Sequence, residues 1–295
     1  MTMITEPSRP PRDAFVTVAD GRRLAYVEYG DPLGCPVLAF HGLPGSRLQH
    51  HPDESIARLA GARIIHFDRP GVGLSDPNPT QTLDSWTRDV ACAADCLNLE
   101  RFAIAGVSAG GPFAIACATL LGERVTKVGV VGGVGPPGSM RTDTMPLAAR
   151  ITFGVAPHGL WMLRPALATL GWLASSHPQR YLDLVATEMA AMDRLILRRA
   201  PVRAMFANDL REAFRQGTAA LQRELEVITS PWPFELGKIC ADIALWHGDE
   251  DRLIPPSGAL HIARSIPGSR IHLCRGEGHF LALDRWDEIV RWLVA

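Results

Sequence analysis

The chain has little that would direct it to nucleic acid, a membrane or a metal. Its 30 Lys and Arg balance 31 Asp and Glu, for a formal net charge of −1 at pH 7. Without a basic excess there is no electrostatic footprint for nucleic acid or an anionic membrane surface, and neither is expected as a partner. A long hydrophobic run is missing. The most apolar stretch, Ile151 to Ala174, is broken by Pro157, His158, Arg164 and Pro165, which excludes a membrane span there. Met1 to Arg12 is polar and Pro-rich. It lacks the apolar core of a secretory signal, so a cytoplasmic protein is expected. Met1 to Thr5 resembles the start of the β-galactosidase fragment carried by common cloning vectors and is set aside from the fold reasoning.

Cysteine is sparse as well. Cys35, Cys92, Cys96, Cys117, Cys240 and Cys274 form no Cys-x-x-Cys pair, so they are expected to be reduced, small apolar residues of the core. His50, His51 and Asp53 lie close in sequence, but no further ligand has metal-site spacing. No metal and no cofactor is expected. No internal repeat or low-complexity segment stands out.

What is present is the composition of a folded domain. Hydrophobic residues make up 47% and charged residues 21% of 295, which argues against disorder and allows a sizeable core. Phe15–Val18 and Leu24–Tyr29 flank Asp20-Gly21 and read as a hairpin. Val37–Phe40, Ile64–Phe67, Phe102–Ala105 and Val125–Val131 read as short apolar strands. Between them Leu83, Trp86, Val90, Ala94 and Leu97 recur at helical spacing. Ser257–Ile266 and Trp286–Leu293 read as helices near the end. Alternating strands and helices predict a mostly parallel sheet covered on both faces.

The segment Gly106-Val107-Ser108-Ala109-Gly110 is a G-x-S-x-G pentapeptide. It lies between the apolar run from Phe102 and the Ala-rich run Pro112–Ala118. That context is strand, sharp turn, helix. Such a turn strains the serine backbone, and small flanking residues keep neighbouring chain clear. A serine hydroxyl is a poor nucleophile unless a base takes its proton and an acid orients the base. Candidate acids Asp249, Glu250 and Asp251 follow the apolar run Ala244–Trp246. A candidate base, His279, follows the run Ile271–Cys274. Serine, acids and histidine each come after the C-terminal end of a predicted strand. In a parallel sheet those ends share the edge where ligands bind.

These segments resemble the α/β-hydrolase fold superfamily, in its large esterase-like group. The resemblance rests on His41–Ser46, Asp68–Ser75, Gly106–Pro112, His247–Pro255 and Gly276–Phe280, which occur in the family's order. It implies Ser108 as nucleophile, His279 as base and Asp251 as acid. Asp251 stands three residues after Gly248, just before Ile254-Pro255. Asp249 and Glu250 are then solvated loop charges. The resemblance also implies an oxyanion hole from the backbone N–H groups of Leu43 and Ala109. The remaining histidines are expected to be structural, His41 bracing its turn.

Between Pro136 and about Phe234 the pattern turns helical, without a convincing strand, and Pro231-Trp232-Pro233 marks the return. This predicts a helical cap, residues 136–235, inserted between strands 6 and 7 of a core formed by 1–135 and 236–295. Phe153, Trp161 and Phe206 are candidate substrate contacts, and Trp232 is a candidate pocket wall. The expected activity is hydrolysis of small to medium, rather apolar carboxylic esters. Epoxide hydrolases and haloalkane dehalogenases share the fold but use aspartate at the elbow. Proline iminopeptidases resemble the His41 region but carry Gly at the place of Leu43 and Trp at that of Ala109. An amine site for such a peptidase could use Glu188 or Glu224. A carbon–carbon bond hydrolase uses a similar triad, and a low-turnover ligand receptor can keep the same fold, so these two and the iminopeptidase-like aminopeptidase stay open beside the esterase.

Overall fold

A computed structural model describes residues 13–295; Met1–Thr5 and the rest of the first twelve residues lie outside them. The chain opens with strands β1 (Ala14–Thr17), β2 (Arg23–Gly30) and β3 (Cys35–Phe40). Helix α1 (Ser55–Leu59), β4 (Ala62–Phe67) and α2 (Leu83–Cys96) follow. Then come β5 (Phe102–Val107), α3 (Gly110–Leu120) and β6 (Val125–Val131). After a long helical insert the chain returns through β7 (Asp242–Gly248), α10 (Ser257–Ser265), β8 (Arg270–Cys274) and α11 (Ala282–Val294).

The eight strands form one sheet in the order β1-β2-β4-β3-β5-β6-β7-β8. β1 and β2 form the antiparallel hairpin, β2 pairs antiparallel with β4, and every later pairing is parallel. The central parallel strands β5, β6 and β7 are largely apolar on both faces because helices cover both. On one face Leu38, Ile65, Ile104 and Val128 pack under Trp86 of α2 and Phe113 of α3. On the other, Val37, Ala39, Ile64 and Ala105 pack under Trp286 and Ile289 of α11. Helix α2 starts at a capping box in which Thr82 and Ser85 satisfy each other's backbone N–H.

Register sets the site. Phe40, at the end of β3, pairs with Gly106, and Val131 of β6 pairs with both Val107 and Trp246. Gly248 of β7 pairs with Cys274 of β8. The loops after β3, β5, β7 and β8 therefore leave the sheet along one edge.

The insert between β6 and β7 holds α4 (Leu147–Val155), α5 (Arg164–Ser176), α6 (Pro178–Thr187), α7 (Ala191–Leu197), α8 (Ala200–Ala213) and α9 (Ala219–Thr229). Ala174, Leu182, Ile196, Phe206 and Leu210 give it an apolar cluster of its own. Among the described residues, no helix is long and apolar enough to cross a membrane.

Two expectations need correction. Cys35, Cys96 and Cys240 are exposed and Cys92 is half-buried, leaving only Cys117 and Cys274 in the core. Cys92 and Cys96 each lie 3.7 Å from the Thr17 carbonyl, at the edge of α2 rather than beneath it. The C-terminal helix begins at Ala282 instead of Trp286.

Candidate active site

The backbone at Ser108 is left-handed, with φ +53°. A non-glycine residue there costs on the order of 1–3 kcal/mol, which the surroundings must offset. The Ser108 N–H donates to Val131 O at 2.8 Å, and its carbonyl accepts from Gly111 N at 3.0 Å and Val134 N at 3.2 Å. The neighbouring glycines are required by close approach. A Cβ on Gly110 would lie 2.2 Å from the Phe40 carbonyl oxygen, and one on Gly106 would lie 2.7 Å from that of Gly110.

The structure brings Ser108, His279 and Asp251 together. Ser108 Oγ is 3.1 Å from His279 Nε2, and His279 Nδ1 is 2.8 Å from Asp251 Oδ2. The carboxylate can only accept, so Nδ1 carries the proton and Nε2 is left to accept from the serine hydroxyl. Asp251 is fixed in turn: its Oδ1 accepts from the N–H groups of Leu253 and Ile254, both at 2.9 Å. His247 Nε2, which donates to Ile254 O at 2.8 Å, lies 3.4 Å from Asp251 Oδ2. Asp249 is exposed and accepts from the Gly276 N–H at 2.7 Å, away from His279.

Charge follows from this packing. Burial alone would raise the Asp251 pKa, but the His279 charge and the hydrogen bonds from His247 and His279 outweigh it. The carboxyl is held well below the usual range. For His279 burial would lower the pKa, yet the charge and hydrogen bond of Asp251 outweigh that and raise it.

The loop after β3 runs beside the elbow. A Cβ on Gly42 would sit 3.3 Å from Ser108 Cβ. Leu43 and Ser108 both line the adjoining cavity, and Ala109 follows directly as the N-cap of α3. Among the described residues no acceptor pairs with the N–H of Leu43 or of Ala109. Both amides are thus available to a ligand oxygen. His41 braces the turn: its carbonyl accepts from Arg69 Nη1 at 2.8 Å. Burial and the Arg69 charge hold its imidazole well below the ordinary pKa.

A cavity of about 790 Å³ opens at Ser108 and His279. Phe153 of α4 and Phe206 of α8 line it. Trp161 and Trp232 do not. Leu160 takes the inward position of its short turn, leaving Trp161 68% exposed. Trp232 packs on Phe234 in a tilted pair with centroids 5.6 Å apart, against the main core. Glu188 reaches the cavity wall, but Glu224 is buried in an ion pair with Arg69 at 2.6 Å. No group of three potential metal ligands converges among the described residues, His50, His51 and Asp53 included.

Sequence reasoning missed the carboxylates that the insert sends into the core loops. Asp193 of α7 accepts from the N–H groups of His279 at 2.9 Å and Phe280 at 2.8 Å. Asp209 of α8 accepts from Ser46 N and Oγ, both at 2.7 Å, and from Gln49 Nε2 at 3.0 Å. Gln49 Oε1 in turn accepts from Gly42 N at 2.6 Å. Glu212 of α8 pairs with Arg47 at 2.5 Å. One signal could have found two of them. Asp209 and Glu212 share a helical stretch with Met205, Phe206, Leu210 and Ala213, where acids among core-facing residues demand partners.

The model of the α/β hydrolase fold family matches residues 36–285. The chain belongs to that family. It is 25% identical over 293 residues to a 2-hydroxymuconate semialdehyde hydrolase of Pseudomonas putida, covering 97% of this chain and 94% of the relative. It is 28% identical over 275 residues to a 2-hydroxy-6-oxononadienedioate/2-hydroxy-6-oxononatrienedioate hydrolase of Cupriavidus pinatubonensis, covering 90% and 88%. Among solved structures, a bromoperoxidase from Bacillus anthracis superimposes with a TM-score of 0.72 at 22% identity, over 96% of this chain and 98% of the other.

Proposed function

We propose that the protein is a serine hydrolase of neutral carboxylic esters. Ser108 Oγ attacks the ester carbonyl while His279 Nε2 takes its proton. Asp251 keeps the imidazole in the reactive tautomer and stabilises the imidazolium. The amides of Leu43 and Ala109 receive the oxyanion, each worth about 3–4 kcal/mol at comparable sites. The imidazolium protonates the departing alcohol, and water then releases the acid through the same base. These steps need only ester and water. Residues 136–235 serve as the cap over this site, on a core whose described residues are 13–135 and 236–295.

The observation that carries the ester reading is the cavity wall. The nucleophile opens onto a largely apolar chamber, and among its described lining residues none is Lys or Arg. The full-length similarity to hydrolases of dienoates favours a second reading, carbon–carbon bond cleavage, which the same three residues could support. Those substrates, by their names, carry carboxylates. Here such an anion would meet no Lys or Arg, and Glu188 stands at the wall. Burying an unpaired charge is costly, so neutral esters fit better. An iminopeptidase would need a free acid for the substrate amine; Glu224 is engaged by Arg69, which leaves Glu188 at the wall as the acid for that reading, and the prolyl amide below tests it.

The test is a panel of p-nitrophenyl esters, a prolyl amide and a 2-hydroxy-6-oxo-dienoate. Short to medium esters should turn over fastest. Ser108→Ala should lower that rate on the order of 10⁴- to 10⁶-fold and abolish fluorophosphonate labelling. Labelling that persists without Ser108 would remove it as nucleophile. A dienoate cleaved faster than every ester would move the reading to carbon–carbon bonds.

A further inference from the structure

His279 is gripped by two carboxylates, and only one of them touches its ring. Asp251 holds Nδ1. Asp193 holds the backbone: its Oδ2 accepts the His279 N–H at 2.9 Å and its Oδ1 the Phe280 N–H at 2.8 Å. These two amides open the short 3₁₀ turn His279–Leu281, whose first N–H groups have no partner within the turn. Asp193 is 1% exposed and arrives from α7, 86 residues away in sequence. Gly278 makes room for it. A Cβ there would lie 2.0 Å from Asp193 Oδ2.

We propose that Asp193 is a positioning residue for the base: by clamping two consecutive amides it sets where His279 leaves the backbone, and so where Nε2 stands relative to Ser108. The inference rests on the serine-hydrolase reading for its consequence in turnover, but not for its geometry. An imidazole between two fixed partners, 2.8 Å on one side and 3.1 Å on the other, has little room to shift. Without the clamp the turn can slide along the sheet edge while Asp251 keeps its grip on the ring. The Ser108 contact then lengthens. Phe280 would move with the turn, and it packs against Phe206 of α8 with centroids 4.9 Å apart. The insert thus acts on the reacting atoms through the backbone, with no side chain of α7 in the chamber beside Ser108.

The experiment compares Asp193→Asn with wild type and with Asp183→Asn. Asp183 lies on α6 in an exposed ion pair with Arg203 and serves as control. In Asp193→Asn, kcat should fall about 100-fold, the size expected of a misplacement near 1 Å, with KM within about twofold. The downfield Nδ1–H resonance of His279 should shift, and the imidazole should titrate lower for want of the Asp193 charge. Asp183→Asn should leave rate and resonance unchanged. Gly278→Ala, which displaces the carboxylate instead of deleting its charge, should reproduce the loss in kcat. It carries the test if the Asn variant does not fold. A folded Asp193→Asn or Gly278→Ala with wild-type kcat and an unmoved resonance would overturn the proposal. The resonance reads His279 directly, so a wrong substrate class would leave this part of the test intact. Failure of the serine-hydrolase reading would show separately, as labelling that survives Ser108→Ala.

Discussion

The two halves of the insert are held to the core by different means. Helices α7 to α9 send in Asp193, Asp209, Glu212 and Glu224, each bonded to a loop that borders the candidate site. Arg199, at the start of α8, adds an ion pair to Asp284 of α11. Among the described residues, no hydrogen bond or ion pair runs from α4, α5 or α6 to the core. Their polar contacts stay on their own helices or reach Arg203 of α8. What α4 to α6 bring to the cavity is mostly apolar: Leu147, Ile151 and Phe153, with Leu170, Leu182 and Leu184, beside Tyr181 of α6 and Glu188 just past its end. Several of these remain exposed, Leu147 at 68% and Leu184 at 51%. Directional bonds fix register, whereas apolar contact tolerates sliding. One half of the insert is therefore suited to holding the site's geometry and the other to shaping the space for substrate.

The largest expected effect breaks the pinned half. Arg69 and Glu224 are both fully buried, and Arg69 also donates to the His41 carbonyl and stacks 4.7 Å over Phe113. Glu224→Ala leaves a buried guanidinium unpaired and should cost about 3–5 kcal/mol, read as a lower urea midpoint. The matching change in the other half, Trp172→Ser on the exposed face of α5, should stay within about 0.5 kcal/mol. Equal losses at the two sites would erase the distinction.

Charge offers a second way to sharpen it. The pinned half places the Asp193 carboxylate beside His279, where with Asp251 it favours the imidazolium over the depressing effect of burial. Base catalysis needs the neutral imidazole. A raised pKa means that activity must fall, on acidification, from a pH above the ordinary imidazole value of 6.5. Asp251→Asn should move that acid limb down, while lowering kcat by roughly 10⁴-fold through the wrong tautomer. For stability the signs separate. The raised His279 pKa contributes stability below about 6.5 that is lost as pH rises through its folded value. The depressed Asp251 pKa contributes stability at neutral pH that is lost in acid. A kcat/KM profile with its acid limb below 6.5 in wild type would contradict this balance.

The same division explains what could be read from the sequence. Ser108 and His279 are legible because each position makes local demands: glycines for close approach at the elbow, a strand end before each loop. The strand end before Asp249, Glu250 and Asp251 does not separate the three, and Asp251 is singled out by the family resemblance alone. The strands are legible from apolar runs, and the hairpin from Asp20-Gly21. Asp193, Asp209 and Glu224 are not, because their partners lie 86, 163 and 155 residues away and a lone acid in a helix resembles a solvated one. Trp161 reads as a pocket residue because an aromatic in an apolar helical stretch signals burial or lining equally, and Trp232 because it stands where the insert returns to the core. Only the packing of Leu160 and Phe234 separates the two cases. Helix α1, five residues long, is too short to show a period.

The smallest effect compares one aromatic from each half. Phe153 of α4 and Phe206 of α8 both line the cavity, but only Phe206 also packs on Phe280 beside His279. Acyl chains that fit gain about 0.8 kcal/mol per buried methylene until the space is full, so rates against p-nitrophenyl esters should rise and then fall with chain length. Phe153→Ala enlarges the chamber from the apolar half and should move the maximum to longer chains, with the rate on the best ester and the urea midpoint close to wild type. Phe206→Ala removes the same ring from the pinned half. It should lower kcat across all chain lengths, because the turn that carries His279 loses its apolar support, and it should cost about 1–3 kcal/mol of stability, less than a fully packed ring because Phe206 faces the cavity on one side. Identical shifts in chain-length preference and stability from the two substitutions would show that the halves divide no labour at the cavity.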